Sequence, residues 1–130
     1  MTINKKWQKI KVKKLSPKKI ISLLKKENIY ILDVRPLNFK RDRTFIKNSV
    51  LCPLVYLIDR YVELPEGRQI IITDWAMKQS PTAAKFLVEK GYSVIGVLKG
   101  GLERWKEDGW PVEKKEVIQE LPPLNTQVKQ

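Results

Sequence analysis

The sequence predicts an α/β domain with a central, mostly parallel sheet and helices on both faces. Short runs rich in isoleucine, leucine and valine recur from Ile29 to Val34, Val50 to Cys52, Gln69 to Thr73 and Val94 to Leu98. Continuous apolar character of this kind marks strands covered on both sides. The intervening segments open on helix-starting residues, as at Ser16-Pro17 and Pro81, and one closes on Gly91. Strands and helices at such short intervals form a parallel sheet with right-handed crossovers. A chain of 130 residues holds one hydrophobic core and not two.

Taken in order, Ile10, Val12 and Leu15 predict a short alternating strand. Ser16 caps a helix with Pro17 in its first turn, and Ile20, Leu23 and Leu24 form its inward stripe. The buried strand Ile29 to Val34 is followed by a charged loop, Lys40 to Lys47. A strand at Val50 to Cys52 is stopped by Pro53, and a helix from Leu54 to Val62 runs to the turn Leu64-Pro65-Glu66-Gly67. The strand Gln69 to Thr73, the loop Asp74 to Ser80, a helix Thr82 to Lys90 and the strand Val94 to Leu98 follow. Gly100-Gly101 turns into a short helix ending near Asp108, Trp110-Pro111-Val112 packs back, and a polar tail from Glu113 to Gln130 is expected to be loosely ordered. The expected organisation is a lysine-rich segment 1–14, a domain 15–112 and a tail 113–130.

Composition removes several chemistries. The single cysteine, Cys52, allows no internal disulfide, and the absence of histidine removes histidine acid/base pairs and the usual zinc sites, so no metal or cofactor is expected. The net charge is +12, yet residues 1 to 26 hold ten lysines and no acid, leaving 16 basic and 14 acidic side chains elsewhere. A basic segment of this kind meets an acidic protein, an anionic surface or nucleic acid, or is simply solvated. Trp7 is the only aromatic residue among these lysines, so nucleic acid is the least favoured partner. No apolar run reaches membrane-spanning length and the first residues lack a secretory core, which points to the cytoplasm or an organelle stroma.

Ligands of parallel α/β sheets sit at the carboxyl ends of strands, which here means Arg35, Cys52 and the loop Asp74 to Ser80. Four further signatures stand in order: Asp33-Val34-Arg35, Gly91-Tyr92, Gly100-Gly101-Leu102-Glu103-Arg104-Trp105 and Gly109-Trp110-Pro111-Val112. With these the stretch from Leu15 to Val112 resembles a rhodanese-like domain. The resemblance implies a three-layer domain and a loop similar to Cys-x-x-Gly-x-Arg-Ser, with its cysteine seventeen positions before the glycine of Gly-Tyr. Counting back from Gly91 reaches Asp74. The loop reads Asp74, Trp75, Ala76, Met77, Lys78, Gln79, Ser80, so the serine is kept while cysteine, glycine and arginine are replaced. Thr44-Phe45-Ile46 stands where the family often shows a Gly-His-Ile-like segment.

Sulfur transfer needs a thiolate that attacks a donor and then carries a persulfide, its charge held by loop N–H groups and a helix dipole. A carboxylate carries no sulfane sulfur. Asp74, an anion at neutral pH, is expected to occupy the donor ring with its own oxygens, and Met77 stands where a positive φ is expected. The resulting expectation is a catalytically degenerate module serving protein interaction or regulation, with an unknown protein partner. Cys52 is the alternative nucleophile of a sulfurtransferase or sulfur carrier, although a cysteine before proline more often serves as a small core hydrophobe. Phosphatase chemistry would also require the missing cysteine. Asp33 and Arg35 are expected to line the site in structural roles, Asp33 accepting loop hydrogen bonds and Arg35 pairing with an acid such as Glu103. Trp75 and Met77 either face solvent as a small apolar contact point or fold inward to plug the pocket.

Overall fold

The computed structural model describes residues 5–26, 28–37, 43–116 and 121–125. Helix α1 (Lys5–Gln8) precedes strand β1 (Lys14–Leu15) and helix α2 (Pro17–Lys26). Strands β2 (Ile29–Asp33), β3 (Thr44–Ile46) and β4 (Val50–Leu51) lead to helix α3 (Leu54–Arg60) and a 3-10 turn, Tyr61–Glu63. Strand β5 (Gln69–Thr73), helix α4 (Ser80–Glu89), strand β6 (Ser93–Leu98), helix α5 (Gly101–Glu107) and strand β7 (Val112–Lys114) complete the chain.

Five strands form one sheet in the order β1-β6-β5-β2-β4 with every pairing parallel, as the apolar runs predict. Successive side chains of β2 and β5 pass to opposite faces. Tyr30, Leu32, Ile70 and Ile72 enter one core cluster, closed by α3 through Leu57 and by α4 through Ala83, Ala84 and Leu87. Ile29, Ile31 and Ile71 enter the other, closed by Ile20 of α2 and by Leu102 and Trp105 of α5. The domain therefore has three layers.

Local signals hold where expected. Ser16 Oγ accepts the Lys19 N–H at 3.2 Å and caps α2. Pro81 sits in the first turn of α4, and Gly91 takes φ +90° just beyond its end.

Four expectations change. Residues 10–12 are not a strand: β1 is an edge, its partner β6 reaches it from the Lys13 carbonyl onward, and Trp7 and Val12 pack instead on the first cluster. The loop expected at 40–47 contains β3, and Val112 begins β7; the two pair antiparallel in a separate ribbon, Thr44 opposite Lys114 and Ile46 opposite Val112. A pairing that remote leaves no local trace. Residues 40–42 of that loop lie outside the described residues, as do 1–4 of the lysine-rich segment and 117–120 and 126–130 of the tail. The described part of the tail is not loose, because Leu124 is fully buried in the first cluster. Finally, Arg35 does not pair with Glu103.

Candidate functional site

The loop after β5 closes around the side chain of its own first residue. Asp74 is fully buried, at the carboxyl end of β5 and facing the N-terminus of α4. Oδ1 accepts the main-chain N–H of Met77 at 2.5 Å, and Oδ2 accepts those of Gln79 at 2.5 Å and Ser80 at 3.0 Å. The first N–H groups of a helix have no internal partner and carry partial positive charge, so an anion there satisfies them and the dipole together. α4 has no side-chain cap from its N-cap residue Gln79; Asp74 reaches across the loop in that role. Bringing three donors onto two oxygens requires the chain to reverse, and Met77 does so at φ +62°. This is the left-handed conformation in which glycine is at ease.

Met77 and Trp75 both fold inward, to opposite faces of the sheet. Met77 packs on the first cluster and its Sδ receives the Gly100 N–H at 3.0 Å. Trp75 packs on the second cluster. Its carbonyl accepts the Glu103 N–H at 3.2 Å, while the Asp74 carbonyl accepts that of Leu102 at 2.9 Å. Loop and α5 are thus joined through main-chain atoms. Gly101 permits it: a Cβ there would stand 2.4 Å from the Trp75 oxygen.

Beside the loop, Asp33 and Arg35 form a buried pair. The Arg35 guanidinium reaches Asp33 Oδ2 at 2.9 Å through Nη2 and Oδ1 at 3.1 Å through Nε, and the Arg35 main-chain N–H also donates to Oδ1 at 3.1 Å. Asp33 therefore accepts a loop hydrogen bond as expected, whereas Arg35 takes its acid from two residues away. Glu103 is exposed on α5. Nη2 also donates to the Thr44 carbonyl at 2.7 Å, and the guanidinium lies over the Phe45 ring at 3.8 Å and the Trp75 ring at 5.6 Å. Complete burial pushes the Asp33 carboxyl above its ordinary range, and the Arg35 cation pulls it back.

Cys52 lies elsewhere. It is fully buried beyond β4 within the first cluster, its N–H donating to the Asp33 carbonyl at 2.8 Å. Burial pushes its thiol up to about 11, away from the thiolate that sulfur chemistry needs.

Residues 16–108, well over half the chain, match the Rhodanese-like domain family. The chain belongs to that family. A sulfurtransferase of Allochromatium vinosum is 25% identical over 87 residues, 66% of this chain and 79% of that protein. The rhodanese-related protein of Thermoplasma volcanium superposes with a TM-score of 0.68 at 24% identity, over 77% of this chain and 96% of its own. The rhodanese-like domain protein of Staphylococcus aureus gives 0.67 at 20%, over 80% and 99%. At these identities the two structures establish the shared fold.

In this rhodanese-like domain the cup is lined by main-chain donors, and its contents are Asp74's own oxygens. Among the described residues no group of histidine, cysteine, aspartate or glutamate side chains is arranged to hold a metal ion. No helix among them is long and apolar enough to cross a membrane. Sequence reasoning missed Phe45, whose ring forms the shelf under Arg35, because its position depends on the β3-β7 ribbon.

Proposed function

We propose that this rhodanese-like domain is catalytically silent and acts as a protein-interaction or regulatory module. The observation that supports this most directly is the carboxylate of Asp74 on the three N–H donors of its loop. A sulfur carrier holds a thiolate in such a ring and hands sulfur on from it; here an oxygen anion that forms no persulfide takes those hydrogen bonds. The loop also contains Met77 and Gln79 where the family's glycine and arginine stand. The partner surface includes Lys9, Lys11, Lys13, Lys14, Lys18, Lys19, Lys25 and Lys26, all exposed. These lysines suit an acidic protein.

A thiosulfate-to-cyanide assay on the purified chain tests the proposal. No thiocyanate above the uncatalysed background is expected. Turnover that Asp74→Ala abolishes would overturn it. Sulfur carriage through Cys52 is disfavoured by burial and by the raised thiol pKa; it requires a one-sulfur adduct on Cys52 after incubation with a persulfide donor, read by mass spectrometry.

A further inference from the structure

Residues 121–125 return from the far end of the chain to one side of the first core cluster. Leu124 is their only fully buried side chain; it sits in the cluster that contains Tyr30, Cys52, Leu57 and Leu64. Around that leucine three side chains reach the segment. The Tyr30 hydroxyl donates to the Leu124 carbonyl, Arg60 Nη2 donates to the Pro122 carbonyl at 2.5 Å, and Glu63 Oε1 accepts the Leu124 N–H at 3.4 Å. Arg60 and Glu63 are themselves locked by two hydrogen bonds of 3.0 Å each, so the clamp is preformed.

Two features suit this slot to recognition. Each of those hydrogen bonds goes to a main-chain atom of the segment, so the side-chain requirement they leave is one leucine in the hole. Pro122 and Pro123 lie exposed above the slot, where their fixed φ lowers the entropy lost on docking. The same helix and turn that supply Leu57, Arg60 and Glu63 present Val55, Ile58 and Val62 to solvent, with Val55 and Val62 68% and 69% exposed. An apolar surface of this kind extends what a longer peptide would cover.

We infer that this slot is a peptide-docking site, closed in cis by residues 121–125 and opened when an extended, proline-containing, leucine-anchored segment of a partner protein displaces them. The inference deepens the interaction reading above and is independent of whether Asp74 silences the loop. Cys52 supplies a built-in reporter, since its thiol shares the cluster with Leu124 and feels the charges of Arg60 and Glu63. With the segment seated the thiol is covered. When the segment leaves, reagent is expected to gain access to it.

The test measures modification of Cys52 by a soluble disulfide reagent in the full chain, in Leu124→Ala and in Arg60→Met, with circular dichroism checking that each is folded. Both variants are expected to react on the order of tenfold faster or more than the parent chain. A synthetic peptide of residues 119–127 is expected to bind Leu124→Ala more tightly than the parent and, at saturating concentration, to restore slow modification in both variants, while the same peptide with alanine at the position of Leu124 does neither. Where Leu124→Ala fails to fold, Arg60→Met, which keeps the leucine and loses only a partly exposed clamp, decides the matter. Unchanged reactivity in the folded variants overturns the proposal, and so does faster modification that the peptide does not slow or that the alanine peptide slows equally. None of these outcomes bears on thiocyanate formation, so failure of the slot and failure of the silent-loop reading are read separately.

Discussion

Asp74 is the side chain on which the loop is built. Three main-chain N–H groups converge on its two oxygens, and each would otherwise be a donor with no partner in a largely closed site. Asp74→Ala is therefore expected to destabilise the domain by about 3 kcal/mol, since hydrogen bonds to a charged acceptor are the stronger class and their loss strands the donors. Asp74→Asn is expected to lose a comparable amount, because its amide nitrogen would confront an N–H with another donor. Urea unfolding of both variants checks this; a loss below about 0.5 kcal/mol, the range of an ordinary surface change, would show that the ring contributes nothing. Counting from Gly91 located this residue, and the chemistry of a carboxylate foretold what it would hold. Which N–H groups take part, those of 77, 79 and 80, depended on the path of the loop. The positive φ at Met77 was legible for the same reason as Asp74, a substitution at a motif position. The Asp33-Arg35 pair was only half legible. Its members were visible, but Arg35 folds back on its near neighbour because Phe45 and the Thr44 carbonyl hold the guanidinium in place.

At the scale of elements, the join between the loop and α5 is made by backbone, and backbone cannot move aside for a methyl group. Gly101→Ala would place Cβ at 2.4 Å from the Trp75 oxygen and 2.7 Å from its carbonyl carbon while holding φ at +64°. A loss of about 3 kcal/mol or more is expected, combining left-handed strain with displacement of the loop. Thermal unfolding of the purified variant measures it, and a melting temperature within a degree of the parent would contradict the close approach. Such a glycine could be named from the sequence, but there it reads only as a turn; that it admits a neighbouring loop is visible in three dimensions. The long elements were legible nearly to their ends, as with β5, because their apolar runs are carried by their own residues. Elements β3 and β7 were not, since each is a strand only by virtue of the other. Ile10 and Val12 misled for a related reason: alternation promised a strand where the sheet edge offers no partner.

For the whole molecule, the two clusters share one sheet. Tyr30 and Ile31 point to opposite faces and each stands beside its neighbour on β5, Ile70 or Ile71, so neither cluster can lose its packing without disturbing the strands that carry the other. One cooperative unfolding transition is expected. Far-ultraviolet circular dichroism should coincide with tryptophan fluorescence, which reports mainly on Trp75, Trp105 and Trp110 of the second cluster. Separate midpoints would mean that the faces come apart independently. The Leu124 contact belongs to this scale too, linking the end of the chain to Tyr30 near its beginning. Residue order alone settles the layered α/β architecture and the oxygen anion at the loop's first position, because apolar runs, caps and motif spacing are local properties of a chain. Tertiary structure alone decides the ribbon that steadies Arg35, the depth of Cys52 and the seating of Leu124. Each of these arises where segments far apart in the chain meet, and a contact between distant residues leaves no periodicity or spacing in either of them.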